Sequence, residues 1–167
     1  MNVVVTDTGP LLHLHQVGVM DLIARLGNIH VTPQVWAELQ RHAPGLKESG
    51  LPEWLTWIIP SAAAADQAAQ WQQARLLDAG EAEALAYARD ISADLFLTDD
   101  TAARTLGESL GMHVRGSLGV VLYLAASGHL TSEEATQVLD ALEQRSTLWM
   151  SAKIRAFARA ALRSIFE

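Results

Sequence analysis

The chain has 167 residues, half of them hydrophobic, with 12 Lys and Arg against 19 Asp and Glu for a net charge of −7. That composition excludes a disordered chain and fits one globular domain with a single core. The absence of cysteine excludes a disulfide scaffold, a thiolate zinc site and a cysteine nucleophile.

Val3-Val4-Val5 is a short β-branched run that stops at Thr6-Asp7-Thr8-Gly9-Pro10, as expected of a buried strand and its turn. Leu11, Leu12 and Leu14 open a short helix, and Asp21 to Leu26 predicts another, closed by Gly27. Ile29-His30-Val31 reads as a second strand. Thr32-Pro33 is a helix start, with Thr as N-cap and Pro in the first turn. His42 to Pro52 has loop composition, and Trp57-Ile58-Ile59 is the third strand candidate. Ala62 to Leu77 is helical by propensity. Asp78-Ala79-Gly80-Glu81 opens a helix to about Asp90. Leu95-Phe96-Leu97 is a fourth strand, stopped by Thr98-Asp99-Asp100, and Thr101 to Leu110 a helix. His113-Val114-Arg115 is a short fifth strand. Ser117 to Ala126, Thr131 onward, and Ser151 to Phe166 complete the helices. Strands alternating with helices give an α/β fold with a parallel sheet, whose sites form at the carboxyl ends of strands.

Charge is unevenly spread. Residues 145–167 hold five basic residues and one acid, a net +4, which leaves −11 on the other 144. The last helix has an apolar stripe (Ala152, Ile154, Phe157, Ala158, Ala161, Leu162, Ile165) and a basic side (Lys153, Arg155, Arg159, Arg163). It reads first as a packed terminal helix with a solvated cationic face, and otherwise as an RNA track or a dock for an acidic partner. No stretch has the ~18 uncharged apolar residues of a membrane span. The first residues lack the basic region of a signal peptide, so a cytoplasmic protein is expected.

Two strands end in acids, at Asp7 and at Asp99-Asp100, on the same rim of a parallel sheet. Glu38 follows in the helix after the second strand, and Glu81 lies in the first turn of the helix before the fourth. Carboxylates gathered there repel one another, and a hard divalent cation removes that repulsion. Each acid also has a purely structural reading: Asp7 as a turn residue, Glu38 as a solvated helix residue, Glu81 as the partner of Asp78 in a capping box, Asp99 or Asp100 as an N-cap. Other chemistries lack their motifs. There is no phosphate-binding Gly-rich loop, no H-E-x-x-H and no G-x-S-x-G, and His13 and His15 are two apart, pointing different ways on a helix.

Residues 3–12, VVVTDTGPLL, resemble the opening of PIN-domain proteins. TPQVWAEL at 32–39 resembles their second motif, which carries a helical glutamate, and LDAGEAEALA at 77–86 followed by LTDDTAAR at 97–104 completes the pattern. VRGSLGVVL at 114–122 looks like a VapC-like branch. The resemblance implies a three-layer α/β/α fold with a central parallel sheet of four to five strands. It divides the chain into a catalytic domain at 1–130 and a helical extension packed on it at 131–167. It also implies an Mg²⁺- or Mn²⁺-dependent endoribonuclease, the toxin of a toxin–antitoxin pair, with RNA as substrate, an antitoxin as partner and a homodimer as assembly. The alternative is a catalytically weak nucleic-acid- or protein-binding module. On this resemblance Asp7, Glu38, Glu81, Asp99 and Asp100 are the catalytic and metal-binding candidates, with Asp99 and Asp100 competing for the last position and the usual family spacing favouring Asp100, and Thr8, Arg104, Arg115 and Ser117 are the substrate contacts. Glu81 stands where most family members carry Asp, and Gly116-Ser117 replaces a late acid. Glu83 is a further candidate, ~200° around the helix from Glu81.

Overall fold

A computed structural model describes residues 2–167. Among them, a five-stranded sheet has the order β3-β2-β1-β4-β5, with every pairing parallel. The strands are β1 (Val3–Thr6), β2 (Asn28–Val31), β3 (Leu55–Trp57), β4 (Leu95–Leu97) and β5 (Val114–Arg115). Val4, Val5, Ile29, Val31, Phe96 and Leu97 are fully buried, as short parallel strands between helical layers require. The chain runs outward from β1 to β3 on one side and resumes at β4 on the other. β1 and β4 therefore flank the point where strand order reverses, the place where open α/β sheets leave a crevice.

The helices are α1 (Thr8–Gln16), α2 (Pro33–His42), α3 (Gly45–Ser49), α4 (Ala62–Gln73), α5 (Ala79–Asp90), α6 (Thr101–Ser109), α7 (Ser117–Ala126), α8 (Ser132–Arg145) and α9 (Ala152–Phe166). They flank the sheet in a three-layer arrangement. α5 lies against β1 and β4 and packs with α2, α4 and α6, whereas α7 packs with α1, α8 and α9. Val120, Val121 and Leu124 of α7 are fully buried, so this helix is core. No helix among the described residues is long and apolar enough to cross a membrane.

Several elements differ from the sequence expectation. β3 spans Leu55–Trp57, two residues before the Trp57-Ile58-Ile59 run, and Ile59 is 71% exposed. As an edge strand, β3 takes its register from Ile29↔Leu55 and its one buried residue is Leu55. Met20–Leu26 is 3-10 rather than α-helical, and the expected loop at 42–52 contains the one-turn α3. The stripe on α9 is only partly inward: Ala158 and Leu162 are buried, while Ile154 and Phe157 are exposed.

Candidate active site

β1 delivers Asp7 to the rim as the N-cap of α1, where its side chain accepts the Thr8 N–H. The pairing of Thr6 with Leu97 continues one step further: the Asp7 N–H donates to the Leu97 carbonyl, and the Thr98 hydroxyl donates to Asp7 Oδ2 at 2.8 Å. Asp7 is only 3% exposed. Burial pushes its pKa from 3.8 up to about 7; the Thr98 hydroxyl and the Thr8 N–H oppose the rise, and the Glu81 and Glu38 carboxylates add to it.

Glu38 reaches the same point from α2. Its Oε2 accepts the Thr8 hydroxyl at 2.8 Å and its Oε1 the Gly80 N–H at 3.0 Å, so it ties α1 to the first turn of α5. Glu81 both closes the Asp78 capping box and lines the cleft, which joins its structural and functional readings. Burial raises its pKa, opposed by the Asp78 N–H and reinforced by Asp100, Asp78 and Glu38. Asp100 caps α6 by accepting the Ala103 N–H at 2.8 Å. The charges of Glu81 and Glu38 thus bear on Asp7, and those of Asp100 and Glu38 on Glu81.

Asp99 is engaged differently. Its Oδ2 is 2.6 Å from His13 Nδ1 and accepts the Ser117 hydroxyl, and its Oδ1 accepts the Ser117 N–H at 2.7 Å. Gly116 permits this approach, since a Cβ there would stand 2.5 Å from Asp99 Oδ1. Ser117 is fully buried, so its hydroxyl supports Asp99 and does not face substrate. His13 was not recognisable from sequence: its partner is 86 residues away, and only the approach of α1 to the end of β4 joins them.

Asp7, Glu38, Glu81, Asp99 and Asp100 all line one cleft of about 630 Å³, together with Thr8, His13, Arg104 and Arg115. Arg104 donates to the Thr98 carbonyl at 3.2 Å, and the Arg115 guanidinium lies 4.2 Å over the Tyr123 ring. Glu83 accepts the Gln34 N–H at 2.9 Å and is not part of the cleft wall. None of the basic residues of α9 lines the cleft, and two of them are paired with acids of α8. Arg159 pairs with Asp140 and Glu143, each at 2.7 Å, and Arg155 with Glu143 at 3.1 Å.

The donor set is all oxygen, the class that Mg²⁺ and Mn²⁺ take. The buried Asp7 carboxyl, held up near neutrality beside two glutamates, is chemically suited to a cation. The geometry is not a closed cage, however. Among the described residues no three His, Asp or Glu side chains converge as a metal-binding group. Hydroxyls of Thr8 and Thr98 and the Gly80 N–H instead occupy carboxylate positions that a cation would share.

A family model described as a PIN domain matches residues 3–164. The chain belongs to the PIN-domain family. The match takes in α8 and most of α9 as well as the sheet. PIN domains are a nuclease-type fold that generally uses divalent metal ions. No curated protein matches the chain significantly.

Proposed function

We propose that the cleft is the active site of a divalent-metal-dependent endoribonuclease. The observation that carries this reading is Asp7: a buried carboxyl at the sheet's switch point, with a pKa near 7 and two glutamates pressing on it. Asp7, Glu38, Glu81 and Asp100 would hold Mg²⁺ or Mn²⁺. When bound, the ion supplies an activated water and offsets charge on the phosphate oxygens. The chain's own residues orient that site. Thr8 and Thr98 fix Asp7 and Glu38, and the Ser117–Asp99–His13 network fixes the far wall. Arg104, with most of its guanidinium N–H groups still free, contacts the RNA backbone. On this reading residues 1–130 form the catalytic part and 131–167 a supporting extension.

Cleavage of single-stranded RNA in Mn²⁺, abolished by EDTA and by Asp7→Asn, is the expected result. Undiminished cleavage in EDTA overturns it. The likeness of residues 114–122 to VapC-like proteins further supports a toxin that pairs with an antitoxin and forms a homodimer. Growth arrest on expression, relieved by Asp7→Asn, tests that role. The open ligand geometry favours a second reading, a PIN-fold binding module with a weak site. RNA binding with no cleavage in any divalent metal would select it.

A further inference from the structure

Trp149 is 80% exposed and lines the acidic cleft with Leu148, Met150 and Ile154. Leaving so large a side chain in water forgoes the stabilisation that its burial would give. The residue sits on the link between α8 and α9, and that link is braced. Thr147 donates its N–H and its hydroxyl to Gln16 Oε1 on α1, at 2.8 and 3.0 Å. The Leu148 N–H donates to Ser146 Oγ at 3.2 Å, and Ser151 caps α9 by accepting the Ile154 N–H at 3.2 Å. The indole is therefore displayed from anchored backbone on both sides.

Arg104 and Arg115 line the same cleft; the Arg104 guanidinium donates to the Thr98 carbonyl and that of Arg115 lies over Tyr123. Aromatic faces beside cationic groups are what hold an unpaired strand: the ring stacks on a base and the cation meets the phosphate. We propose that Trp149 is a stacking platform for an unpaired nucleobase of single-stranded RNA whose backbone enters the cleft. This rests on the nuclease reading of the cleft. A duplex keeps its base faces covered, so the platform selects single strands.

The test is equilibrium binding of a fluorescent single-stranded oligoribonucleotide to the full chain, with Ca²⁺ in place of Mg²⁺. Trp149→Ala weakens binding roughly 5- to 150-fold, the range of one lost base stack, and Trp149→Phe retains most of it. An oligonucleotide with abasic sites binds wild type and Trp149→Ala alike. Unchanged melting temperature shows that the exposed side chain is dispensable for folding. Equal affinity of wild type and Trp149→Ala for the single strand overturns the stacking role alone. So does conversion of a dimer to a monomer by Trp149→Ala with RNA affinity unchanged, which would make the indole a subunit contact. Failure of the wild type to bind single-stranded RNA removes the nuclease reading and the platform with it.

Discussion

The Gly80 N–H lies 3.0 Å from Glu38 Oε1, and a Cβ on Gly80 would fall within 2.7 Å of the Glu38 carboxylate carbon. The first turn of α5 is thus a seat for a side chain from α2. The atoms in conflict are the far end of a flexible glutamate, so Gly80→Ala displaces Glu38 and leaves the backbone in place. Alanine is also the better helix residue, by about 0.5–1 kcal/mol. Expected for Gly80→Ala is equal or slightly higher thermal stability with Mn²⁺ affinity lower by about tenfold or more. Calorimetric titration and thermal melting read the two effects separately. A variant that unfolds early would show that α5, and not Glu38, gives way.

Asp7 makes the metal-free protein pH-sensitive in an unusual direction. Its folded pKa of about 7 lies above the reference 3.8. Between those values the folded state keeps a proton that the unfolded state has lost. Its contribution to stability is therefore full below pH ~4 and declines as pH rises through about 7. Asp7→Asn carries no charge to desolvate and flattens this dependence. In EDTA at pH 8 the Asn variant should melt above wild type, by on the order of a few kcal/mol in stability, with the gap closing at pH 4–5. A wild type that gains stability relative to Asp7→Asn as pH rises would contradict the buried, unneutralised carboxyl.

Much of this arrangement was legible because it is local. Strands that end in acids, Thr32-Pro33 before α2, and Asp78 with Glu81 three residues on are all short-range signals, and the capping box forms as its spacing predicts. What was not legible depends on distant partners. His13 faces Asp99 because α1 crosses the end of β4, and its spacing from His15 says nothing of that. The two-residue shift of β3 follows from pairing on one side only, which leaves Trp57 and Ile59 exposed and makes their hydrophobicity a poor guide. On α9 the inward face is only the Ala158 and Leu162 part of the stripe, and the pairs of Arg155 and Arg159 with acids of α8 are contacts the stripe could not reveal.

Those ion pairs give a third prediction. Arg159 is 40% exposed on its side chain and bonds both Asp140 and Glu143. Arg159→Ala should cost about 1 kcal/mol or less, as half-exposed pairs do, and leave RNA affinity and its salt dependence unchanged. Thermal melting and binding at two ionic strengths check both halves. A reduced salt slope would return α9 to the RNA track.

Thr32 is fully buried at the end of β2, and its hydroxyl has no hydrogen-bond partner, not even as a cap for α2. Valine has nearly the same shape and removes the unsatisfied group. Thr32→Val should raise stability by roughly 1 kcal/mol, measured by denaturant titration. A comparable loss would show that the hydroxyl is engaged.

Asp99 and Asp100 are neighbours with separable roles. Asp100 raises the Glu81 pKa, so it belongs with the acids around Asp7, while its own fold contact is the α6 cap. Asparagine caps a helix as well as aspartate does. Asp100→Asn should therefore melt within about 0.5 kcal/mol of wild type and lose Mn²⁺ binding and cleavage. Asp99 instead holds His13 and both polar groups of Ser117, joining α1 to α7 across the end of β4. Asp99→Asn cannot accept all three bonds and should cost about 1–2 kcal/mol while retaining Mn²⁺ affinity within severalfold. Parallel titrations of the two variants decide the assignment. Metal binding lost in Asp99→Asn and kept in Asp100→Asn would exchange their roles and make the His13 contact a ligand-orienting one.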